Sequence, residues 1–170
     1  MSVIQKKICM LGDFAVGKTS TVRRYVEGLF DDSYLSTIGV KISRKPVHVG
    51  SQALHLIIWD LAGGDKFVHT NSGYLRGAAG ALLVCDLTRP ETLTTAERYS
   101  AEIRAFNPNA ALILVGNKVD LSKQRQLSDT DLTMAAQRIN CLLLTTSAKT
   151  GTNVELAFAQ LARLITDVSL

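Results

Sequence analysis

Gly12-Asp13-Phe14-Ala15-Val16-Gly17-Lys18-Thr19 has the form G-x-x-x-x-G-K-[ST], and what flanks it governs how it is read. An apolar, strand-like run at residues 3–11 precedes it, and a helix-like stretch at 19–28 follows, opening near Gly17. In that strand–loop–helix setting the glycines let successive backbone N–H groups turn inward on phosphate oxygens, and the helix N-terminus adds a favourable dipole. Lys18 then reaches the β- and γ-phosphates, and the Thr19 hydroxyl is placed to hold Mg²⁺. The bland reading, a chance glycine-rich turn, requires four specified positions to match by accident, in about one chain in a hundred or fewer.

Working outward, further apolar runs occur at 38–49, 53–60, 79–86, Ala111–Asn117 and 141–146. Helix-like stretches separate most of them. Glu91–Phe106 opens after Thr88 and Pro90, a cap residue and a helix-compatible proline. Asp129–Ile139 follows Ser128, and 153–168 carries apolar residues at a 3.6 period. Continuous apolar strands alternating with helices imply a parallel sheet covered on both faces. Only Gly50-Ser51-Gln52 separates the second and third runs. That is too short for a crossover, so this pair should form an antiparallel hairpin. Ligands of such sheets sit beyond the carboxyl ends of the strands.

The chain has 170 residues, 46% hydrophobic and 20% charged, and reads as one domain over 1–170. A net charge of +4 is too modest to argue for a nucleic-acid partner. Lys41, Arg44 and Lys45 read best as positive protection of a solvated edge strand, with an acidic partner surface the lesser reading. Cys9, Cys85 and Cys141 each fall in an apolar run and are odd in number, which implies buried free thiols in a reducing compartment. No apolar stretch approaches the ~20 residues of a membrane span. Ser2 does not allow N-myristoylation, and the ending Asp167-Val168-Ser169-Leu170 offers no cysteine to prenylate. A cytoplasmic protein without an encoded membrane anchor is expected.

Three more short runs fall at strand ends. Asp60-Leu61-Ala62-Gly63 gives D-x-x-G, in which the carboxylate can hold Mg²⁺ through a water and the glycine offers its N–H to a γ-phosphate. Asn117-Lys118-Val119-Asp120 gives N-K-x-D. Guanine presents two adjacent donors, N1–H and the exocyclic amine, and Asp120 can accept both, whereas adenine loses the pairing. The stem of Lys118 can cover the base, and Asn117 can brace neighbouring loops. In Ser147-Ala148-Lys149 the Ala148 N–H can donate to guanine O6. Each run alone is weak, and an ordinary turn or polar strand end explains it. Their order in the chain is the evidence.

On Gly12 to Thr19, Thr37-Ile38-Gly39, Trp59 to Gly63, Tyr74-Leu75-Arg76-Gly77-Ala78, Asn117 to Asp120 and Ser147 to Lys149, the sequence resembles the Ras-like small GTPases, most closely the Rab branch, across essentially its whole length. The resemblance implies the P-loop NTPase fold of small G proteins. That is an α/β fold whose six-stranded, mostly parallel sheet has one antiparallel edge strand and helices on both faces. It implies that Asp13, Phe14, Ala15, Val16, Gly17, Lys18, Thr19 and Ser20 surround the phosphates of GTP or GDP. Asn117, Lys118, Asp120, Ser147, Ala148 and Lys149 then surround the guanine, with the Phe30 ring edge-on to it. Thr19, Thr37 and Asp60 are the implied Mg²⁺ residues, and Lys18, Thr37 and Gly63 the implied contacts to the reacting γ-phosphate. Segments of about 30–39 and 62–76 would be the switches that meet effector and regulatory proteins.

Two departures bear on hydrolysis. Gly64 stands where most of the family has a water-orienting glutamine, followed by Asp65 instead of glutamate. Phe14 stands where close relatives have glycine or serine, at a point an incoming arginine finger would approach. The expected function is a guanine-nucleotide switch that hydrolyses GTP slowly. One alternative is a GTP-locked module of the same fold. The other is an ATP-dependent P-loop enzyme, which gives no reason for Asn117, Asp120 and Ala148.

Overall fold

Strands β1 (Ile4–Gly12), β2 (Val40–Val49), β3 (Gln52–Leu61), β4 (Ala78–Asp86), β5 (Ala111–Asn117) and β6 (Leu142–Thr145) form one sheet in the order β2-β3-β1-β4-β5-β6. The helices are α1 (Lys18–Glu27), α2 (Glu91–Phe106), α3 (Asp129–Ile139) and α4 (Val154–Asp167), with a 3-10 turn at Ser72–Leu75. The computed structural model describes residues 3–31, 39–64 and 72–167.

Every strand pairing is parallel except β2 with β3, which runs antiparallel from Val49↔Gln52 to Val40↔Leu61. The short turn dictates this, as expected. Strand β2 lies at the sheet edge, and Lys41 and Arg44 on it are exposed. Strands β1 and β4 are central, so their carboxyl-end halves are buried on both faces and read as continuous apolar runs.

Alternation along those strands feeds two cores. One face sends Cys9, Leu11, Leu83, Cys85 and Leu114 against Leu93, Tyr99 and Ile103 of α2 and Leu132 and Ile139 of α3. The other sends Ile8, Met10, Leu56, Ile58, Leu82 and Val115 against Val22 and Tyr25 of α1 and Phe158, Leu161 and Ile165 of α4. The rings of Tyr25 and Phe158 stack at 4.0 Å between centroids, joining α1 to α4. Each fully buried side chain of this size contributes about 1.5–3 kcal/mol. Among the described residues no helix is long and apolar enough to cross a membrane.

Two local details differ from the sequence reading. Thr88 does not cap α2, because its N–H and hydroxyl both donate to Asp86 Oδ1, at 2.8 and 2.7 Å, and Pro90 takes the cap position. Cys141 is only half-buried and lies just before β6. Cys9 and Cys85 are buried, and burial pushes each thiol up to about 12. Ser128 does cap α3. Its hydroxyl accepts from the Asp131 N–H at 3.0 Å while Asp131 accepts from the Ser128 N–H at 2.9 Å.

The registers Met10↔Asp60, Gly12↔Val84 and Asp86↔Asn117 bring the carboxyl ends of β1, β3, β4 and β5 to one edge. The short sequence runs therefore converge there.

Candidate functional site

The turn from β1 into α1 needs unusual backbone. Ala15 has φ 62° and Gly17 φ 102°. At Gly17 a Cβ would also collide with the Asn117 carboxamide, so glycine is required for both conformation and space. Lys18, 7% exposed, donates from Nζ to the Gly12 and Asp13 carbonyls at 3.0 and 2.9 Å. Its ammonium thus lies across the loop. Burial pulls its pKa down to about 8, against the opposing pull of Asp60 and Asp13.

Asn117, 2% exposed, is the hub of the site. Its Nδ2 donates to the Val16 carbonyl at 3.0 Å, and its Oδ1 accepts from the Thr146 hydroxyl at 3.1 Å and the Ala148 N–H at 3.3 Å. One carboxamide therefore ties the glycine-rich loop to the segment after β6, the bracing role expected of it. The Ala148 N–H assigned to guanine O6 is engaged with this carboxamide. Lys118 Nζ donates to the Ala15 carbonyl at 3.1 Å and pairs with Asp86 Oδ2 at 2.8 Å. Burial pushes the Asp86 carboxyl upward, but the bonds from Lys118 and Thr88 outweigh it and hold the group below the usual carboxylate range.

Asp120 accepts from the Ser147 hydroxyl at 2.7 Å through Oδ1. The loop 147–149 is held from the far side by Arg24 of α1, whose Nε donates to the Ala148 carbonyl at 2.8 Å and whose Nη2 donates to the Lys149 carbonyl. Phe30 is half-buried beyond the left-handed Gly28 that ends α1. Neither Arg24 nor Asp86 belongs to a short motif, and both partners become visible only when distant segments meet. A cationic residue on α1 carried no signal by which the sequence could have named it.

Two oxygen donors that could take a divalent cation lie together. The Thr19 hydroxyl donates to Asp60 Oδ2 at 2.6 Å, and Asp60 is 1% exposed. Among the described residues no group of three His, Cys, Asp or Glu side chains could hold a metal. A hydroxyl and one carboxylate, completed by phosphate and water, is the donor set that suits Mg²⁺ rather than an all-protein cage. Beyond β3, Gly63 approaches the loop so closely that a Cβ would lie 2.7 Å from the Phe14 N and Cα. Phe14 is 53% exposed. Thr37 and Asp65 lie outside the described residues, as do residues 32–38 of the first expected switch segment and 65–71 of the second.

The sequence that builds this geometry has relatives. The model of the Ras family matches residues 7–167. Ras-related protein Rab-22A of Homo sapiens is 36% identical over 173 residues, covering 100% of this chain and 89% of that protein. Ras-related protein Rab-31 of Rattus norvegicus is 36% identical, covering 97% and 85%, and Ras-related protein Rab-4B of Rattus norvegicus is 38% identical, covering 94% and 75%. Glycine-rich loop, hydroxyl–carboxylate pair and braced 117–120 and 147–149 segments thus occur in a chain similar to these proteins over 94–100% of its length, and the chain belongs to the Ras family, as a Ras-like small GTPase of the Rab branch.

Proposed function

We propose that residues 1–170 act as one domain that binds Mg²⁺-GTP and Mg²⁺-GDP and hydrolyses GTP slowly. The observation that carries the reading is the Asn117 hub, which joins the loop suited to phosphates to the loop suited to guanine. Asp13 to Ser20 cradle the phosphates, with Lys18 turning its ammonium from the Gly12 and Asp13 carbonyls toward the β- and γ-oxygens. Asp120 accepts the two guanine donors on its two carboxylate oxygens, Oδ1 serving the Ser147 hydroxyl as well. Ala148, Lys118, Lys149 and Phe30 complete the base site. Thr19, Asp60 and Thr37 hold the cation, which when bound neutralises charge on the β- and γ-oxygens. Thr37 and Gly63 meet the γ-phosphate, so its loss releases both switch segments.

Slow hydrolysis follows from residue 64. The attacking water needs an oriented partner, and glycine has no side chain to supply one. That same residue favours the second reading, a module held in the GTP state, which single-turnover hydrolysis over days would distinguish.

The effector surface is supported by an apolar patch between the expected switches. Ile42, 54% exposed, pairs in register with Trp59. The Trp59 ring lies 5.9 Å from that of Tyr74 and 3.7 Å beneath the Lys7 ammonium. Competition against a fluorescent GDP tests the proposal. GTP and GDP should displace it in Mg²⁺ far better than ATP, and EDTA should speed its release. Equal displacement by ATP and GTP would overturn the guanine assignment.

A further inference from the structure

Three successive carbonyls on the outer side of the glycine-rich loop accept from side chains brought in from elsewhere. Val16 O accepts from Asn117 and Ala15 O from Lys118, both of the N-K-x-D run. Phe14 O accepts from Arg89 Nη2 at 2.6 Å. Arg89 belongs to no motif in this chain and sits on the turn between β4 and α2.

The turn is built to hold it. Arg89 N–H donates to the Asp86 carbonyl at 3.0 Å, and its own carbonyl accepts from Thr92 N–H at 3.1 Å, with Pro90 between. Asp86 Oδ2, 1% exposed, lies 3.6 Å from Arg89 Nε and 2.8 Å from Lys118 Nζ, so one buried carboxylate orients both cations. Glu91 Oε1 flanks the guanidinium at 3.8 Å.

A trans peptide points its C=O and the next N–H in opposite directions. Holding Phe14 O outward therefore turns the Ala15 N–H inward, and holding Ala15 O outward does the same for the Val16 N–H. Ala15 lies between these two clamps at φ 62°, a conformation that a residue with a Cβ adopts reluctantly. Flipping the 14–15 peptide would relieve that strain and aim a carbonyl at the phosphates. We infer that Arg89 is a positioning residue of the nucleotide site, which prevents this flip by strapping the Phe14 carbonyl. The inference rests on the guanine-nucleotide reading above.

Release of preloaded fluorescent GDP, in Mg²⁺ with excess unlabelled GDP, tests it. Arg89→Ala should release about tenfold faster, the loss expected for one charge-assisted hydrogen bond, and Arg89→Lys should fall between it and the wild type. Glycine accepts φ 62° freely, so Ala15→Gly added to Arg89→Ala should slow release back toward the wild type. If Arg89→Ala does not fold, Arg89→Met, which keeps the stem and removes every N–H donor, carries the same comparison. Unchanged release would overturn the inference, as would fast release that Ala15→Gly leaves fast, because that marks general loosening. A wild-type protein that holds no guanine nucleotide would instead overturn the functional reading beneath it.

Discussion

The Tyr99 hydroxyl donates to the Gly64 carbonyl at 3.2 Å. Tyr99 is 1% exposed in the core under α2, whereas Gly64 opens the segment where a water-orienting side chain would stand. A core helix thus holds the backbone at the position that lacks the side chain. Gly64 has φ 100°, which glycine accepts and other residues resist by about 1–2 kcal/mol.

Restoring glutamine is therefore not a simple side-chain gain. Gly64→Gln should raise single-turnover GTP hydrolysis about tenfold, since the water regains an oriented partner. The strained peptide must turn to place it, so adding Tyr99→Phe, which frees the carbonyl, should raise the rate further. Rapid-quench measurement of phosphate release reads both. A wild-type rate at or above about 4 × 10⁻⁴ s⁻¹, the intrinsic Ras value, and unchanged by Gly64→Gln would show that another group orients the water.

Asp120→Asn should lower guanine-nucleotide affinity by about a hundredfold or more and gain xanthine nucleotides, because a carboxamide donor meets the extra xanthine carbonyl. The Ser147 hydroxyl now bonded to Oδ1 at 2.7 Å can still donate to the amide oxygen, so the fold should survive. Competition by GDP and XDP gives the answer, and an unaltered preference would remove Asp120 from the base site.

Lys18 should make nucleotide binding proton-linked. Burial holds its pKa at about 8, below the ordinary 10.5. Between those values the unfolded chain binds more protons than the folded one. The cost of the buried charge is therefore fully present below about 8, and the nucleotide-free protein gains stability as pH rises toward about 10.5. Phosphates favour the charged form, so binding at pH about 8.5 should take up most of one proton. Calorimetry in buffers of differing ionisation enthalpy measures the uptake. Zero uptake would mean that the ammonium is already fully charged.

Local chemistry made much of the fold legible. Helices Glu91–Phe106 and Asp129–Ile139 match the sequence reading at both ends, and the others differ by a residue or two. Apolar periodicity and turn residues act within a few positions, which is why they can be read without knowing the fold. The hairpin of β2 and β3 followed from the short turn at Gly50 alone. The run from Gly12 to Thr19 needed only its flanks.

Which group partners which was settled by the assembled fold. Arg24 reaches the Ala148 carbonyl across 124 positions, Arg89 the Phe14 carbonyl across 75, and Tyr99 the Gly64 carbonyl across 35. Thr88 looked like a cap and is instead a ligand of Asp86, because that buried carboxylate, shared with Lys118, outcompetes the free helix end for its hydroxyl. A long polar side chain can satisfy itself on any nearby carbonyl, and which one is near depends on sheet order and helix placement. Local signals along the chain set the elements, the hairpin and the short runs at the strand ends. Only the assembled sheet chose the arginines and the buried aspartate that hold those runs in register, since their bonds are selected by proximity and not by spacing along the chain.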